Sequence, residues 1–353
     1  MTNSNLTNTV AGPVIQPVIQ TRGLTRTFTA RKQTVEAVRG LDLEIAQGEL
    51  VAFLGPNGAG KSTTLRMLTT LLPPTSGSAS VAGFDVATQS RQVRQSIGYV
   101  GQGNAAGHQQ HGRDELVSQA RAHGLSRMEA RARAEELIAD FDLAACADRK
   151  VSTLSGGQRR RMDIAIGLVH RPRVLFLDEP STGLDPQNRA NLQTQIQRLH
   201  AETGSTIVLT THYLEEADAL AGRVIVVDHG QVIADDTAYN LKSSLGDLIT
   251  LGFYDQATAA AAAHRVRRSA PEAQIKTLGD EVTIRVAGGR ELAPALVADL
   301  AVAGDRVHRM EVAGPTLDDV FLNLTGRSLR EDNDTATDTA LASTDETLEE
   351  IAA

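Results

Sequence analysis

The sequence predicts an α/β protein in which helices cover a mainly parallel sheet, joined to a smaller α+β domain. Short apolar runs, such as VLFL at 174–177, are typical of strands buried in a parallel sheet. Helical segments alternate with such runs from about residue 19 to residue 241. The composition then changes near residues 243–246, and the order of elements becomes βαββαβ with one added helix, which favours a ferredoxin-like domain.

Each element is predicted from its own apolar pattern. In the first domain LDLEI, ELVAFLG, RVLFLDEP, STIVLTTH and RVIVVDHGQVIA predict strands, whereas KSTTLRMLTTLL and GLSRMEARARAEELIADFDL predict helices. In the second domain LITLGFYD and RVHRMEVAG predict strands, and QATAAAAAHRVRRS, ELAPALVADLAVAG and TLDDVFLNLTG predict helices. Between them QIKTLGDEVTIRVA predicts a hairpin with Gly-Asp at its turn.

These elements divide the chain into four segments. We expect a disordered N-terminus over residues 1–17, a first domain over 18–243 and a second over 247–328. A helical part is expected within the first domain at about 105–165. Residues 329–353 are expected to form a disordered acidic tail.

The acidity of the chain belongs to its tail. The net charge is −8, but eight acidic residues and no Lys or Arg follow position 330, which leaves 35 acidic against 35 basic residues in the body. A neutral body with 3% aromatic residues and no Trp argues against nucleic acid as a partner. The single cysteine, Cys146, excludes an intrachain disulfide and favours a reducing compartment.

No segment of the sequence predicts a membrane span. The longest apolar runs fall far short of the ~18 residues that a spanning helix needs. The N-terminus MTNSNLTNTVAG lacks a basic segment followed by an apolar one, so no secretory signal is expected. If the protein works at a membrane, another chain must span it.

The segment GPNGAGKS at 55–62 matches the phosphate-loop pattern G-x-x-x-x-G-K-[ST], follows a strand and opens a helix. Its glycines let backbone N–H groups surround phosphate oxygens. Lys61 is expected to reach the β- and γ-phosphates of ATP, and Ser62 to bind Mg²⁺. The alternative is a glycine-rich turn before a helix. The predicted ATP-binding residues of this segment are Gly55, Pro56, Asn57, Gly58, Ala59, Gly60, Lys61, Ser62 and Thr63.

A second motif, VLFLDEP, ends a predicted buried strand in two carboxylates. Asp178 is expected to hold Mg²⁺ through water, and Glu179 to polarise the attacking water as general base. Taken alone, the pair could equally be a solvated acidic strand end. Together with the phosphate loop, the motif favours ATP hydrolysis.

A third motif, LSGGQ, begins a helix some twenty residues before Asp178. Such a helix start favours an anion, because its free N–H groups and dipole point outward. In this order the three motifs resemble the ATP-binding subunit of an ABC transporter over about residues 19–242. The resemblance implies a head-to-tail homodimer of P-loop ATPase domains, in which the LSGGQ of one chain binds the γ-phosphate held by its partner. The residues concerned are Leu154, Ser155, Gly156, Gly157 and Gln158.

The same resemblance assigns further residues. It implies that Gln102 belongs to the Q-loop near Mg²⁺ and water, Asp185 to the D-loop, and His212 to the switch that contacts the γ-phosphate. Phe28 stands where the family stacks an aromatic ring on adenine, with core packing as the alternative. The arginines at 159–161 are expected to be solvated or salt-bridged. The polar segment after Gln102 is expected to be a surface loop, since no cluster completes a metal site around His108 and His111.

The C-terminal segment PTLDDVFLNLTGR resembles that of ABC ATPases of the daunorubicin-resistance type. This resemblance implies a separate polytopic membrane subunit, export of a hydrophobic compound, and a peripheral position at the cytoplasmic face of the membrane. The apolar stripe of this segment is also expected to pack into the small domain. The stripe consists of Leu317, Val320, Phe321 and Leu324.

Several alternatives remain at this stage. A P-loop kinase or unrelated NTPase would share the phosphate loop but not LSGGQ, the D-loop and the switch histidine. A non-transport ABC protein acting on ribosomes or nucleic acid usually has two ATPase units or a long coiled coil, and this chain has neither. The cargo could be a lipid or polysaccharide, because the pathway lies in another polypeptide. The C-terminal domain could also be a regulatory or dimerisation module.

Overall fold

The computed structural model describes residues 17–30, 33–103, 107 and 109–329. The disorder expected for residues 1–16 and 330–353 falls outside these residues, as does His108. The described chain divides into two compact units. The first takes its residues from Met1–Phe53, Gly58–Thr211 and Val227–Val232, and the second from Leu54–Asn57, His212–Val226 and Ile233–Ala353. The domain boundaries given above stay predictions.

The first part of the chain alternates strands with helices. In chain order these are β1 (Ile19–Ala30), β2 (Gln33–Ile45), β3 (Leu50–Leu54), α1 (Lys61–Leu68), β4 (Ser76–Val81), β5 (Phe84–Asp85), α2 (Ser90–Ser96), β6 (Ile97–Val100), α3 (Gly112–Ala122), α4 (Arg127–Asp140), α5 (Gly156–Gly167), β7 (Val174–Asp178), α6 (Pro186–Thr203) and β8 (Thr206–Thr211).

The central strands β3, β8, β7 and β6 lie side by side in that order, and β6, β7 and β8 run parallel. Every residue of β3, β7 and β8 is buried. Continuous apolar strands are expected in a parallel sheet, because helices cover both of its faces. The predicted α/β fold is confirmed here. Since β6, β7 and β8 are parallel, their carboxyl ends meet at one edge.

A second sheet in this unit was not anticipated. It is antiparallel, with the strand order β2-β1-β4-β5. Its longest pairing joins β1 to β2, from Ile19 opposite Ile45 to Ala30 opposite Gln33, with register shifts between Thr21 and Thr27. Bulges of this kind increase the twist of a strand and bend it.

The remaining elements follow β8. They are α7 (Leu214–Leu220), β9 (Arg223–Asp228), β10 (Gln231–Asp236), α8 (Ala238–Ser243), β11 (Asp247–Gly252), α9 (Gln256–Ser269), β12 (Gln274–Leu278), β13 (Glu281–Val286), α10 (Gly289–Val302), β14 (Arg309–Ala313) and α11 (Leu317–Thr325).

The C-terminal sheet has the order β12-β13-β11-β14, and every neighbouring pair is antiparallel. Together with the βαββαβ element order, this arrangement confirms the ferredoxin-like prediction. Its core contains Ile249, Leu251 and Phe253 from β11 and the residue after it. The β12–β13 hairpin turns at Gly279, whose φ of 60° is readily accessible to glycine.

The last helix, α11, packs against α8 and α7 within the second unit. Three residues of its apolar stripe, Leu317, Val320 and Phe321, are buried as expected. Leu324, however, is 45% exposed, so the expectation that the whole stripe is buried is wrong for this residue. Asp319 of α11 pairs with Arg285 of β13.

Candidate functional site

The phosphate loop joins β3 to α1 through two glycines with left-handed backbone, Gly58 at φ 81° and Gly60 at φ 101°. A Cβ on Gly60 would lie 2.4 Å from the carbonyl oxygen of Ala37, so no larger residue fits. The N–H of Gly230 donates to the Ala59 carbonyl at 3.0 Å. The loop is therefore fixed where α1 begins at Lys61, and the N–H groups of a helix start favour an anion.

Lys61 has only 4% of its side chain exposed, and its Nζ lies 4.0 Å from Oε1 of Glu179. Burial lowers the pKa of Lys61, while the nearby carboxylates of Glu179 and Asp178 oppose this shift. A buried ammonium is costly unless anionic groups surround it. The position therefore suits the binding of another anion, such as a phosphate.

Asp178, at the end of β7, is fully buried. Its Oδ1 accepts hydrogen bonds from Ser62 Oγ at 2.7 Å and from Thr210 Oγ1 at 2.7 Å. Tyr99 Oη lies 3.5 Å from Oδ2, and burial followed by the charge of Asp178 raises the pKa of Tyr99. The structure thus brings together Ser62 and Asp178, two of the three residues predicted to bind Mg²⁺; the third, Gln102, is exposed after β6. A hydroxyl and a carboxylate are the oxygen ligands that this ion prefers.

Thr210 and Tyr99 were not predicted from the sequence. Thr210 lies in the predicted strand STIVLTTH, and Tyr99 lies in β6, in the sequence IGYV just before the Q-loop. A hydroxyl at the end of an otherwise apolar strand was the available signal, because a buried hydroxyl needs a partner. Here the partner of each is Asp178.

Glu179 has a left-handed backbone, with φ 47°. For a residue other than glycine this conformation costs about 1–3 kcal/mol and persists only when the surroundings impose it. The N–H of Glu179 donates to Oγ1 of Thr210 at 3.0 Å. Thr182 Oγ1 donates to Oε2 of Glu179 at 3.2 Å. The carboxylate, 11% exposed, is thereby held beside Lys61.

The signature segment, Leu154–Gln158, starts α5 with a capping box. The N–H of Gln158 donates to Ser155 Oγ at 3.3 Å, and the N–H of Ser155 donates to Gln158 Oε1 at 3.1 Å. Ser155 and Gly156 are exposed, whereas Leu154 is buried. The cap takes up the N–H groups of Ser155 and Gln158, and the helix start itself is exposed to solvent, where its dipole favours an anion.

Asp185, predicted to belong to the D-loop, caps the next helix, α6, by accepting from the N–H of Asn188 at 3.0 Å. Hydrogen bonds from the backbone and then the side chain of Asn188 lower the pKa of Asp185. The same Asn188 touches the signature segment, because a Cβ on Gly157 would lie 2.3 Å from its Oδ1. The signature segment is thus in close contact with the first turn of α6.

The three arginines after the signature segment have different surroundings. Arg159 donates to the carbonyls of Val151 and Ser152, and Arg161 bonds at the end of α4 and pairs with Asp142. Arg160 is buried and not solvated: it is 9% exposed and donates to backbone carbonyls.

The other predicted residues lie as follows. Gln102 is exposed after β6. Phe28 is 39% exposed, with the Arg26 guanidinium 4.6 Å from its ring centre, which argues against core packing. His212 follows β8 and belongs to the second unit, where its ring lies 4.1 Å from that of Tyr213. Within the described residues, no group of three or more His, Cys, Asp or Glu forms a metal cluster.

No helix within the described ranges is long and apolar enough to cross a membrane.

Comparisons with known proteins agree with this geometry. A family model described as ABC transporter matches residues 38–182. A second model, described as AAA domain, putative AbiEii toxin, Type IV TA system, matches the overlapping residues 147–218. Among solved structures, a dimeric post-hydrolysis state of the ATP-binding cassette MJ0796 bound to ADP and phosphate is similar, with 26% identity and a TM-score of 0.57. That match covers 62% of this chain and 98% of the other.

Two curated relatives match most of the chain. The daunorubicin/doxorubicin resistance ATP-binding protein DrrA of Streptomyces peucetius is 43% identical over 311 residues, which cover 87% of this chain and 92% of the relative. The daunorubicin resistance ATP-binding protein DrrA2 of Streptomyces coeruleorubidus is 44% identical over 296 residues, covering 82% and 90%. The chain therefore belongs to the ABC transporter family, as an ATP-binding and ATP-hydrolysing subunit of the daunorubicin and doxorubicin resistance type.

Proposed function

We propose that two copies of this chain close around two ATP molecules and thereby drive a separate membrane subunit that exports a hydrophobic compound. The chain acts at the cytoplasmic face of the membrane as a peripheral subunit. Closure moves the membrane subunit toward its outward state, and hydrolysis resets the dimer. The relatives named for daunorubicin and doxorubicin resistance support a drug as the cargo.

One observation carries this proposal. Lys61, Ser62, Asp178, Glu179 and Thr210, which we call the strand-end cluster, are linked by contacts of 2.7–4.0 Å at the start of α1 and the ends of β7 and β8. The cluster combines a buried cation, two carboxylates and hydroxyl groups. These are the groups that phosphoryl transfer to water needs for positioning and electrostatic stabilisation.

Each residue has a role in this scheme. The phosphate loop and Lys61 bind the β- and γ-phosphates, Thr63 contacts the α-phosphate, and Phe28 stacks on adenine. Glu179 accepts a proton from the attacking water as general base, with His212 and Gln102 orienting the γ-phosphate and the water. Bound Mg²⁺ would neutralise charge on the phosphates, held by Ser62, Asp178 and Gln102.

The partner chain completes each site. Ser155, Gly156 and Gly157 bind the γ-phosphate of the ATP that the other copy holds, and Asp185 reaches across the dimer. The exposed, capped start of α5 supports this role, because it can receive an anion without rearrangement. Hydrolysis consequently requires two chains.

Glu179→Gln tests the central assignment. The amide cannot accept the proton, so we expect hydrolysis to fall about 100-fold to 10,000-fold, the usual contribution of a general base, while ATP still binds. ATPase assays measure hydrolysis, nucleotide titration measures ATP binding, and size-exclusion chromatography with ATP detects the dimer. We expect the variant to accumulate as an ATP-bound dimer. Hydrolysis at the wild-type rate contradicts the assignment.

The dependence of the ATPase rate on protein concentration tests whether hydrolysis requires a dimer. If two chains form each site, the ATPase rate should rise with the square of protein concentration in the dilute range. A linear dependence down to the monomer would instead favour an unrelated P-loop NTPase. Catalytically inactive Glu179→Gln protein serves as the background control.

Cargo is tested with the membrane subunit. Co-purification of this chain with its membrane partner should give a complex whose ATPase activity rises with hydrophobic drugs of the daunorubicin type. Stimulation of the ATPase by lipids or polysaccharides alone would indicate that one of these is the cargo. Capture of ribosomes in place of a membrane protein would overturn the transport role.

A further inference from the structure

The side chain of Arg160 connects three segments of the first unit. Its Nε donates to the Pro180 carbonyl at 2.7 Å, and one terminal nitrogen donates to the Gly101 carbonyl at 2.7 Å. The other terminal nitrogen donates to the carbonyls of Asp178 at 3.1 Å and Glu179 at 3.4 Å. One planar guanidinium thus joins the residue before Gln102 to three successive carbonyls at the end of β7 and just beyond it. Arginine suits this position, because its five N–H donors form a rigid fork.

The carbonyls that Arg160 contacts belong to a stretch of backbone that contains a left-handed residue, Glu179. Glu179 is left-handed at φ 47° and lies between a buried strand and Pro180. Bonds on the carbonyls of residues 178, 179 and 180 constrain the peptide planes on both sides of Glu179. A strained conformation of this kind requires such support from its surroundings. Arg160 therefore helps to set where the Glu179 carboxylate points.

Arg160 also stands on the helix that begins with the signature segment. Ser155 caps α5, and Arg160 follows little more than one turn later. A displacement of the helix start is transmitted to Arg160, since an α-helix moves as a rigid element over one turn. In the dimer proposed above, this helix start binds the ATP of the partner chain, whereas Glu179 serves the chain's own ATP.

We propose that Arg160 is a positioning residue that couples the two ATP sites of the dimer, carrying the state of the signature segment to Glu179 and to the Q-loop of the same chain. The inference rests on the proposed function, because it needs the signature segment to act in trans. It adds a connection within one chain, from the signature segment that binds the γ-phosphate of the partner's ATP to Glu179, the general base for the chain's own ATP.

Arg160→Met tests the coupling, since methionine fills much of the same volume but donates no hydrogen bond. We expect the maximal ATPase rate of the full-length protein to fall at least about tenfold and its Hill coefficient for ATP to fall toward 1. The dissociation constant of ATP for the monomer should change less than about twofold. In a Glu179→Gln background, the Arg160→Met variant should still form the ATP-bound dimer, which a loss of α5 structure would prevent.

Two further variants keep the test decisive. Arg160→Lys retains the charge and can reach one carbonyl at a time, so we expect a rate between those of the wild type and Arg160→Met. If Arg160→Met does not fold, Arg160→Lys provides the same measurements. Arg159→Met is the matched control, because within the described part of the chain the Arg159 side chain bonds to the carbonyls of residues 151 and 152 alone. We expect its rate and Hill coefficient to stay within about twofold of wild type.

The outcomes separate two failures. A cooperative wild-type ATPase whose rate and Hill coefficient are unchanged in a folded Arg160 variant overturns the coupling and leaves the proposed function intact. Equal losses in Arg159→Met also overturn it, because the effect would then belong to the helix as a whole. A wild-type ATPase that is linear in protein concentration overturns the proposed function itself.

Discussion

The strand-end cluster and the signature segment are the two regions proposed to bind phosphate, and they differ in burial and in their contacts. The cluster is buried, and its carboxylates already bond to Ser62, Thr210 and Thr182. The signature segment is exposed at Ser155 and Gly156, and its capping bonds are internal to α5. The difference agrees with the proposed division, in which the strand-end cluster binds the chain's own ATP and the signature segment completes the site of the partner chain.

The largest effect is expected in the cluster. Lys61→Ala removes the buried cation beside Glu179, so two carboxylates would face the phosphates without it. We expect kcat/KM for ATP to fall about 100-fold or more, with ATP binding by the isolated chain lost alongside hydrolysis. Steady-state kinetics and nucleotide titration measure this. Retention of tight ATP binding would contradict the role of Lys61.

The complementary change lies in the signature segment. Ser155→Arg removes the cap and blocks the exposed helix start with a long side chain. We expect hydrolysis to fall about 100-fold, while the monomer keeps its affinity for ATP within about twofold, because the phosphate loop is untouched. Ser152→Arg, at an exposed position just before the motif, is the control for added charge. Loss of ATP binding in the monomeric Ser155→Arg variant would contradict the division between the two regions.

A smaller change compares two adjacent glycines. A Cβ on Gly157 would overlap the Asn188 side chain at 2.3 Å, whereas a Cβ on Gly156 would meet only Leu184 at 3.9 Å. Gly157→Ala should therefore lower the free energy of unfolding by about 1–3 kcal/mol, and Gly156→Ala by less than about 0.5 kcal/mol. Urea unfolding compares the two variants. Equal destabilisation of the two variants would contradict the close contact between Gly157 and Asn188.

The smallest effect concerns pH. Burial, followed by the charge of His123, lowers the pKa of His170, which follows α5, to about 4. Its Nε2 donates to the Ile97 carbonyl at 2.9 Å, and its Nδ1 has no hydrogen-bond partner in the described part of the chain. The unfolded chain therefore binds this proton more readily, so stability should decline as the pH falls from about 6.5 to 4.

His170→Gln keeps a donor for Ile97 and does not titrate. We expect the variant to lose about 1–2 kcal/mol less stability than the wild type between pH 6.5 and pH 4, after allowing for partial solvent exposure of His170. Denaturant unfolding at each pH measures the difference. Parallel pH profiles for the two proteins would contradict the buried, neutral histidine.

Much of the fold and part of the site could be predicted from sequence. The buried strands of the parallel sheet, the βαββαβ order and the turn at Gly279 follow from apolar runs and local turn chemistry. The antiparallel sheet of β2, β1, β4 and β5 was missed. Its β1–β2 and β4–β5 pairs are consecutive in the chain, but the pairing of β1 with β4 that joins them links distant segments, which local patterns do not show. The exposure of Leu324 was missed, because apolar spacing defines a stripe along α11 without showing how much of that stripe the neighbouring helices cover.

By itself, the sequence determined which chemical groups the protein carries and how its motifs begin. The phosphate loop and the signature segment depend on neighbouring residues, since glycine torsions, caps and helix starts are local properties. Only the tertiary structure placed Ser62 beside Asp178, 116 residues away, and Arg160 against Gly101, 59 residues away. Thr210 and Tyr99 joined the site in the same way. Such contacts are set by the order of strands in the sheet, because adjacency across a sheet does not follow distance along the chain.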